Sequence, residues 1–164
     1  LDEEIVIAGN ISDGLINSQA RIKGELEEGA TITLYNGHGS PYIWGAFSKA
    51  MLKQQDIASI DNAGKPTMAL PLTCYTTYAE SPSTSTLAHQ LVAAGENGAV
   101  AIYGAATLSN FDDNSAMGKA VLGNLLENQT IGNAVLNAKR GLGNSYRDII
   151  HNSNLLGDVT LQLK

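Results

Sequence analysis

Apolar and polar residues alternate along this chain in short blocks that read as strands separated by helices. Near the amino terminus "EEIVIAG" reads as a short strand. "DGLINSQARIKGELEEG" follows, with Leu15, Ile16, Ala20, Ile22 and Leu26 at mixed helical spacing, and predicts a helix closed by Gly29. "ATITLYN" is the next strand, with Ile32 and Leu34 on one face, and it runs into the loop "GHGSPYIWG". A helix is expected over residues 48–57, stopped by "DNAGKP". "PTMALPLTC" is a third strand, then comes the polar run "YTTYAESPSTST". "STLAHQLVAAGENG" reads as a helix with Leu87, Leu91 and Val92 inward. "GAVAIYGAATLS" is almost continuously apolar, as a strand buried on both faces should be. Two helices follow, "NSAMGKAVLGNLLENQ" and "TIGNAVLNAKRGL", the second with Thr130 as its N-cap. "DVTLQLK" is expected as a terminal strand. Alternating strands and helices predict an α/β fold, a mostly parallel sheet with helices on both faces, in one domain over residues 1–164. No repeat or linker interrupts it.

Composition narrows the class. The chain has 164 residues, 43% of them apolar, enough for a real core. No uncharged apolar run reaches the roughly 18 residues a membrane span needs, so no membrane partner is expected. The start carries acids and lacks the basic and apolar regions of a signal peptide. It begins on Leu1 rather than Met, which reads as a processed or excised piece. Net charge is −6, and the ten basic residues are scattered, so no concentrated positive face is offered to nucleic acid. A single cysteine, Cys74, excludes an internal disulfide and a cysteine-based zinc site.

The chemistry is expected beyond the carboxyl ends of the strands, where open α/β sheets bind their ligands. One strand delivers His38 there and another delivers Cys74, 36 residues later. That spacing leaves room for one crossover helix, so the two strands would be parallel neighbours with both side chains on one rim. An imidazole within reach makes a thiol into a nucleophile. The backbone N–H groups of Gly39 and Cys74 are candidates for an oxyanion hole, and Gly37 and Gly39 keep the histidine loop free of flanking side chains. Taken singly, Gly-His-Gly also fits a turn with a surface histidine, and a strand-end cysteine also fits packing.

"LYNGHGSPYIW", "KPTMALPLTCYTTYAE", "LVAAGENGAVAIYGAATLS" and "NSNLLGDVTLQL" together resemble, in that order, the gingipain-type cysteine peptidases of the caspase-like clan. The resemblance runs from about Gly29 to Leu163. It implies a caspase-like three-layer sandwich and a cysteine endopeptidase whose dyad is His38 and Cys74, with Gly39 and Cys74 forming the oxyanion hole. A polypeptide is the implied substrate. Members carry a preceding half-domain that supplies a carboxylate to orient the histidine, so this chain resembles the carboxyl-terminal part of a catalytic unit, with an upstream half-domain of the same protein as partner. The family is largely bacterial and exported, which implies a secreted or cell-surface location. Two departures stand out: Gly157-Asp158-Val159 replaces Gly-Asp-Pro, and "YTTYAESPSTST" replaces a small-residue stretch after the cysteine. The first reads as a turn into the last strand.

Other residues are placed around this site. Trp44 either covers a core edge or walls the substrate cleft. Tyr75 and Tyr78 line or cap that cleft, and Thr107 and Ser109 sit on the same rim as candidate contacts to substrate backbone. His89 and His151 read as structural, and the three histidines lack metal-ligand spacing. No cofactor is expected; a structural calcium at Asp112 and Asp113 is the one metal considered. The competing functional reading is a catalytically inert caspase-like binding or assembly module of a secreted bacterial protein, and a third is an esterase or transpeptidase using the same dyad.

Overall fold

The computed structural model describes residues 15–46, 49–62, 64–79, 83 and 85–163. The strand expected at "EEIVIAG" lies outside the described residues. In chain order the elements are α1 (Leu15–Glu28), β1 (Ile32–Asn36), β2 (Gly39–Ser40), β3 (Ile43–Ala46), β4 (Lys49–Lys53), β5 (Thr67–Leu72), α2 (Leu87–Ala93), β6 (Ala99–Ala105), α3 (Phe111–Leu126), α4 (Ile131–Gly141), α5 (Arg147–His151) and β7 (Ser153–Gly157).

The main sheet has the order β1-β5-β6-β7. β1, β5 and β6 are parallel, and β7 returns antiparallel to β6. Side chains leave it alternately to two cores, as the two-residue period of a strand requires. Met68, Leu70, Ala101 and Tyr103 join α3, α4 and α5 residues such as Met117, Val121, Ile131 and Ile149. Ala69 and Ile102 face the other way, toward Leu26 of α1, Leu87 and Leu91 of α2, Trp44 and Leu52. Each large apolar side chain so buried contributes about 1.5–3 kcal/mol. All six residues of β5 are buried, which explains a sequence apolar from Met68 to Leu72. Its ladder to β6 ends at Ala69↔Ile102, two residues before Pro71, which brings no N–H to either neighbour. The register with β1 continues to Asn36↔Leu72, so β1 and β5 finish level.

Three expectations are corrected. The helix over residues 48–57 is instead β4 followed by a 3-10 turn, Gln54–Ser59. Lys, Ala, Met and Leu are good helix formers, but Ala50 and Leu52 alternate inward against exposed Lys49, and β4 pairs with β3 beneath α1. Gly45 makes the hairpin possible: its φ is 120°, and a Cβ there would sit 2.4 Å from the Lys49 carbonyl oxygen. The crossover from β1 to β5 is therefore a small antiparallel sheet, β2-β3-β4, rather than a helix. Finally, "DVTLQLK" is not the last strand. β7 precedes it, and Gly157 and Asp158 form a turn out of β7 rather than into it. The alternating residues beyond are taken up by the start of α4, where the Ile131 and Gly132 N–H groups donate to the Leu161 and Val159 carbonyls.

Candidate active site

His38 follows the end of β1, two residues past Asn36. Its loop is tied down from three sides. The Gly37 N–H reaches the Leu72 carbonyl of β5 at 3.5 Å. The His38 carbonyl accepts from the Gly45 N–H at 2.7 Å and from the Tyr35 hydroxyl at 2.8 Å. Burial pushes the Tyr35 hydroxyl up from its ordinary pKa, which favours the neutral, donating form. The two flanking glycines now have structural reasons. A Cβ on Gly37 would lie 2.6 Å from the Tyr35 hydroxyl, and one on Gly39 would lie 2.5 Å from the Thr73 hydroxyl. The imidazole is exposed, and among the described residues it hydrogen-bonds to nothing.

Trp44 is only 1% exposed, which removes it from the cleft wall. Its indole stacks on Tyr35 with ring centres 5.5 Å apart and planes at 7°. It pairs with Gly39 across the β2–β3 hairpin. It is thus the buried floor beneath the histidine loop, because a two-residue strand has too little backbone pairing to hold that loop alone.

Cys74 comes two residues after β5, with Thr73 fully buried before it. The chain then turns sharply. Tyr75 has φ 56°, a left-handed conformation that strains a bulky residue by about 1–3 kcal/mol. The turn is fixed by N–H donation from Tyr75 to the Thr107 carbonyl at 3.0 Å and from Thr77 to the Ala105 carbonyl at 3.1 Å. Among the described residues the Cys74 N–H has no protein acceptor. Tyr75 and Tyr78 meet edge to face, centroids 6.1 Å apart, and both stay partly exposed. They do not seal the cysteine, which is itself partly exposed.

Ser109 surrounds the sulfur on one side. The Cys74 thiol donates to its carbonyl at 3.3 Å, while its N–H lies 3.5 Å and its hydroxyl 3.8 Å from Sγ. Asn114 on α3 donates to the Ser109 hydroxyl oxygen at 2.7 Å. Behind Ser109 lies a cavity of about 240 Å³ that Asp113 and Asp148 line. Thr107 is partly exposed, and its carbonyl is used by the turn.

Sequence reasoning missed Asn114, Tyr35 and Asp148. Asn114 left a readable signal, since it falls at helical spacing with Met117, Gly118 and Val121 of the buried face of α3. Asp112 and Asp113 occupy the first turn of α3, where carboxylates suit the helix dipole, and Asp113 accepts from Asn110. His89 caps the start of α2 with Thr86, and His151 ends α5. Among the described residues no three histidine, cysteine or carboxylate groups come together as metal ligands.

The model of peptidase family C25 matches residues 7–164, nearly the whole chain. The chain belongs to peptidase family C25. Solved structures carry the same likeness. The complex of Porphyromonas gingivalis RgpB pro- and mature domains superposes with a TM-score of 0.76 at 16% identity, over 89% of this chain and 37% of that one. The Arg-specific cysteine proteinase gingipain R gives a TM-score of 0.70 at 16% identity, over 89% of this chain and 36% of that one. At such identity the likeness establishes the fold, the caspase-like α/β sandwich that the sequence resemblance implied. The chain spans little more than a third of the length of these family structures. No curated protein sequence matches it.

Proposed function

We propose that this chain supplies the nucleophile and the base of a cysteine endopeptidase, Cys74 and His38. The observation that carries the reading is the contact of Gly39 with Thr73, which sets the histidine loop against the residue before the nucleophile on neighbouring parallel strands. In the reaction the Cys74 thiol gives its proton to the His38 imidazole, and the sulfur bonds to the scissile carbonyl carbon. The Gly39 and Cys74 amides receive the charge that develops on the carbonyl oxygen. Collapse of the intermediate breaks the C–N bond, and the leaving amine takes the proton from His38. Water then attacks the thioester, losing a proton to His38, and the released sulfur regains a proton as the acid departs. The ring and the sulfur need not touch at rest, because catalytic hydrogen bonds tighten when substrate binds.

The cavity behind Ser109 supports a substrate with a basic side chain, since two carboxylates line it and one solved relative is described as Arg specific. Tyr75 and Thr107 flank the same rim. The chain's share of its relatives' length, and the relative solved as a complex of pro- and mature domains, support a further part of the same protein as partner.

The test uses the full-length chain. Iodoacetamide labelling of Cys74 and peptide hydrolysis are compared between wild type and His38→Ala. Hydrolysis is expected to fall by about 100-fold, the usual weight of a general base. Equal, slow labelling in both proteins removes the reading.

A further inference from the structure

We infer that Ser109 is a catalytic residue that holds the negative charge of the Cys74 sulfur, with Asn114 as the positioning residue that aims its hydroxyl. The inference rests on the reading of Cys74 as nucleophile, though not on which group takes its proton.

Two donors of one residue reach the sulfur, the Ser109 N–H at 3.5 Å and the Ser109 hydroxyl at 3.8 Å. The direction of the hydroxyl proton follows from its other partner. Asn114 Nδ2 donates to Ser109 Oγ at 2.7 Å, so that oxygen is already an acceptor on that side and its own proton is free to turn to the sulfur. Asn114 is buried at the first turn of α3. α3 itself is pressed onto the end of β5, where a Cβ on Gly118 would sit 2.5 Å from the Leu72 side chain. The relay therefore has a rigid base.

The contact changes sense with ionisation. In the neutral state the thiol donates to the Ser109 carbonyl at 3.3 Å. Once the thiol proton leaves for the imidazole, the sulfur becomes an acceptor and the N–H and hydroxyl close on it. Hydrogen bonds to a charged group are stronger than neutral ones, so the ionised state gains more from this cradle. The titratable groups around it are Tyr75 and Tyr78 on its own turn and Asp113 and Asp148 in the cavity that Ser109 also lines, while His38 belongs to the loop whose Gly39 meets Thr73.

The experiment measures iodoacetamide labelling of Cys74 in the full-length chain at pH 7 and at about pH 10, where a thiol ionises unaided. Ser109→Ala is expected to label about tenfold more slowly at pH 7 and at the wild-type rate near pH 10. Asn114→Leu, which leaves the hydroxyl but frees its direction, is expected to give a smaller deficit of the same pH dependence. Ser109→Thr, which keeps a hydroxyl, restores the rate toward wild type. Labelling of Ser109→Ala at the wild-type rate at pH 7 overturns the assignment. A deficit equal at both pH values also overturns it, since that is lost structure rather than lost charge stabilisation. If His38→Ala labels like wild type while Ser109→Ala is slow at pH 7, the proton acceptor has been misassigned and the Ser109 role stands. Unimpaired peptide hydrolysis by Cys74→Ala removes both.

Discussion

The two halves of the candidate site are built in opposite ways. On the histidine side the backbone is clamped and the ring is free. The His38 carbonyl takes two hydrogen bonds, and Trp44 and Tyr35 stack below, yet the imidazole faces solvent without a partner among the described residues. On the cysteine side the side-chain atom itself is held. The sulfur has three contacts to Ser109, and Asn114 braces that serine. The difference follows from the elements. β5 and β6 are buried strands of the main sheet, whereas the histidine loop leans on a short antiparallel hairpin. One side holds a side-chain sulfur in place; the other holds only the backbone and leaves the ring unanchored among the described residues.

Breaking the support under the histidine should have the largest effect. Trp44→Ala is expected to destabilise the chain by about 3–5 kcal/mol, read as a fall in melting temperature, because it empties the floor of the loop. Gly39→Ala acts on geometry instead. The new methyl would collide with Thr73, and a displacement near 1 Å is expected to lower peptide hydrolysis about 100-fold with little change in melting. A core residue of β6 separates stability from chemistry. Burial pushes the Tyr103 phenol up to about 12, against a smaller opposing effect of its hydrogen bond with Ser153. Its contribution to stability is full below about pH 10 and is lost as pH rises through about 12, a difference of about 2–3 kcal/mol. Lys139, over the Tyr103 ring, is pushed down by burial and titrates with the opposite sign. Thermal melts of Tyr103→Phe against wild type across that range isolate the phenol. The smallest effect belongs to Tyr35→Phe. Loss of the hydrogen bond to the His38 carbonyl is worth about 1 kcal/mol, roughly fivefold in kcat with KM unchanged.

Much of this was legible before any coordinates. β1, β5 and β6 announced themselves as apolar runs, and the endings of two of them placed His38 and Cys74 on one rim. β4 did not, because "KAMLK" is made of helix formers, and its two-residue period becomes visible only with β3 beside it and α1 above it. "DVTLQLK" failed for the converse reason: it alternates like a strand, but β6 already had β7 as its neighbour. Ser109 was seen as a rim residue, yet its grip on the sulfur was not, since residues 35 positions apart meet only once β5 and β6 lie side by side.

Tyr75 carries one more implication, for anyone who would engineer this chain to endure heat. A glycine or asparagine accepts the left-handed bend more comfortably than a tyrosine does. Screens that reward toughness alone should converge on that position early. The bend also sets where the sulfur sits at the tip of its strand, so a replacement that keeps the same backbone angle should toughen the molecule without shifting that atom.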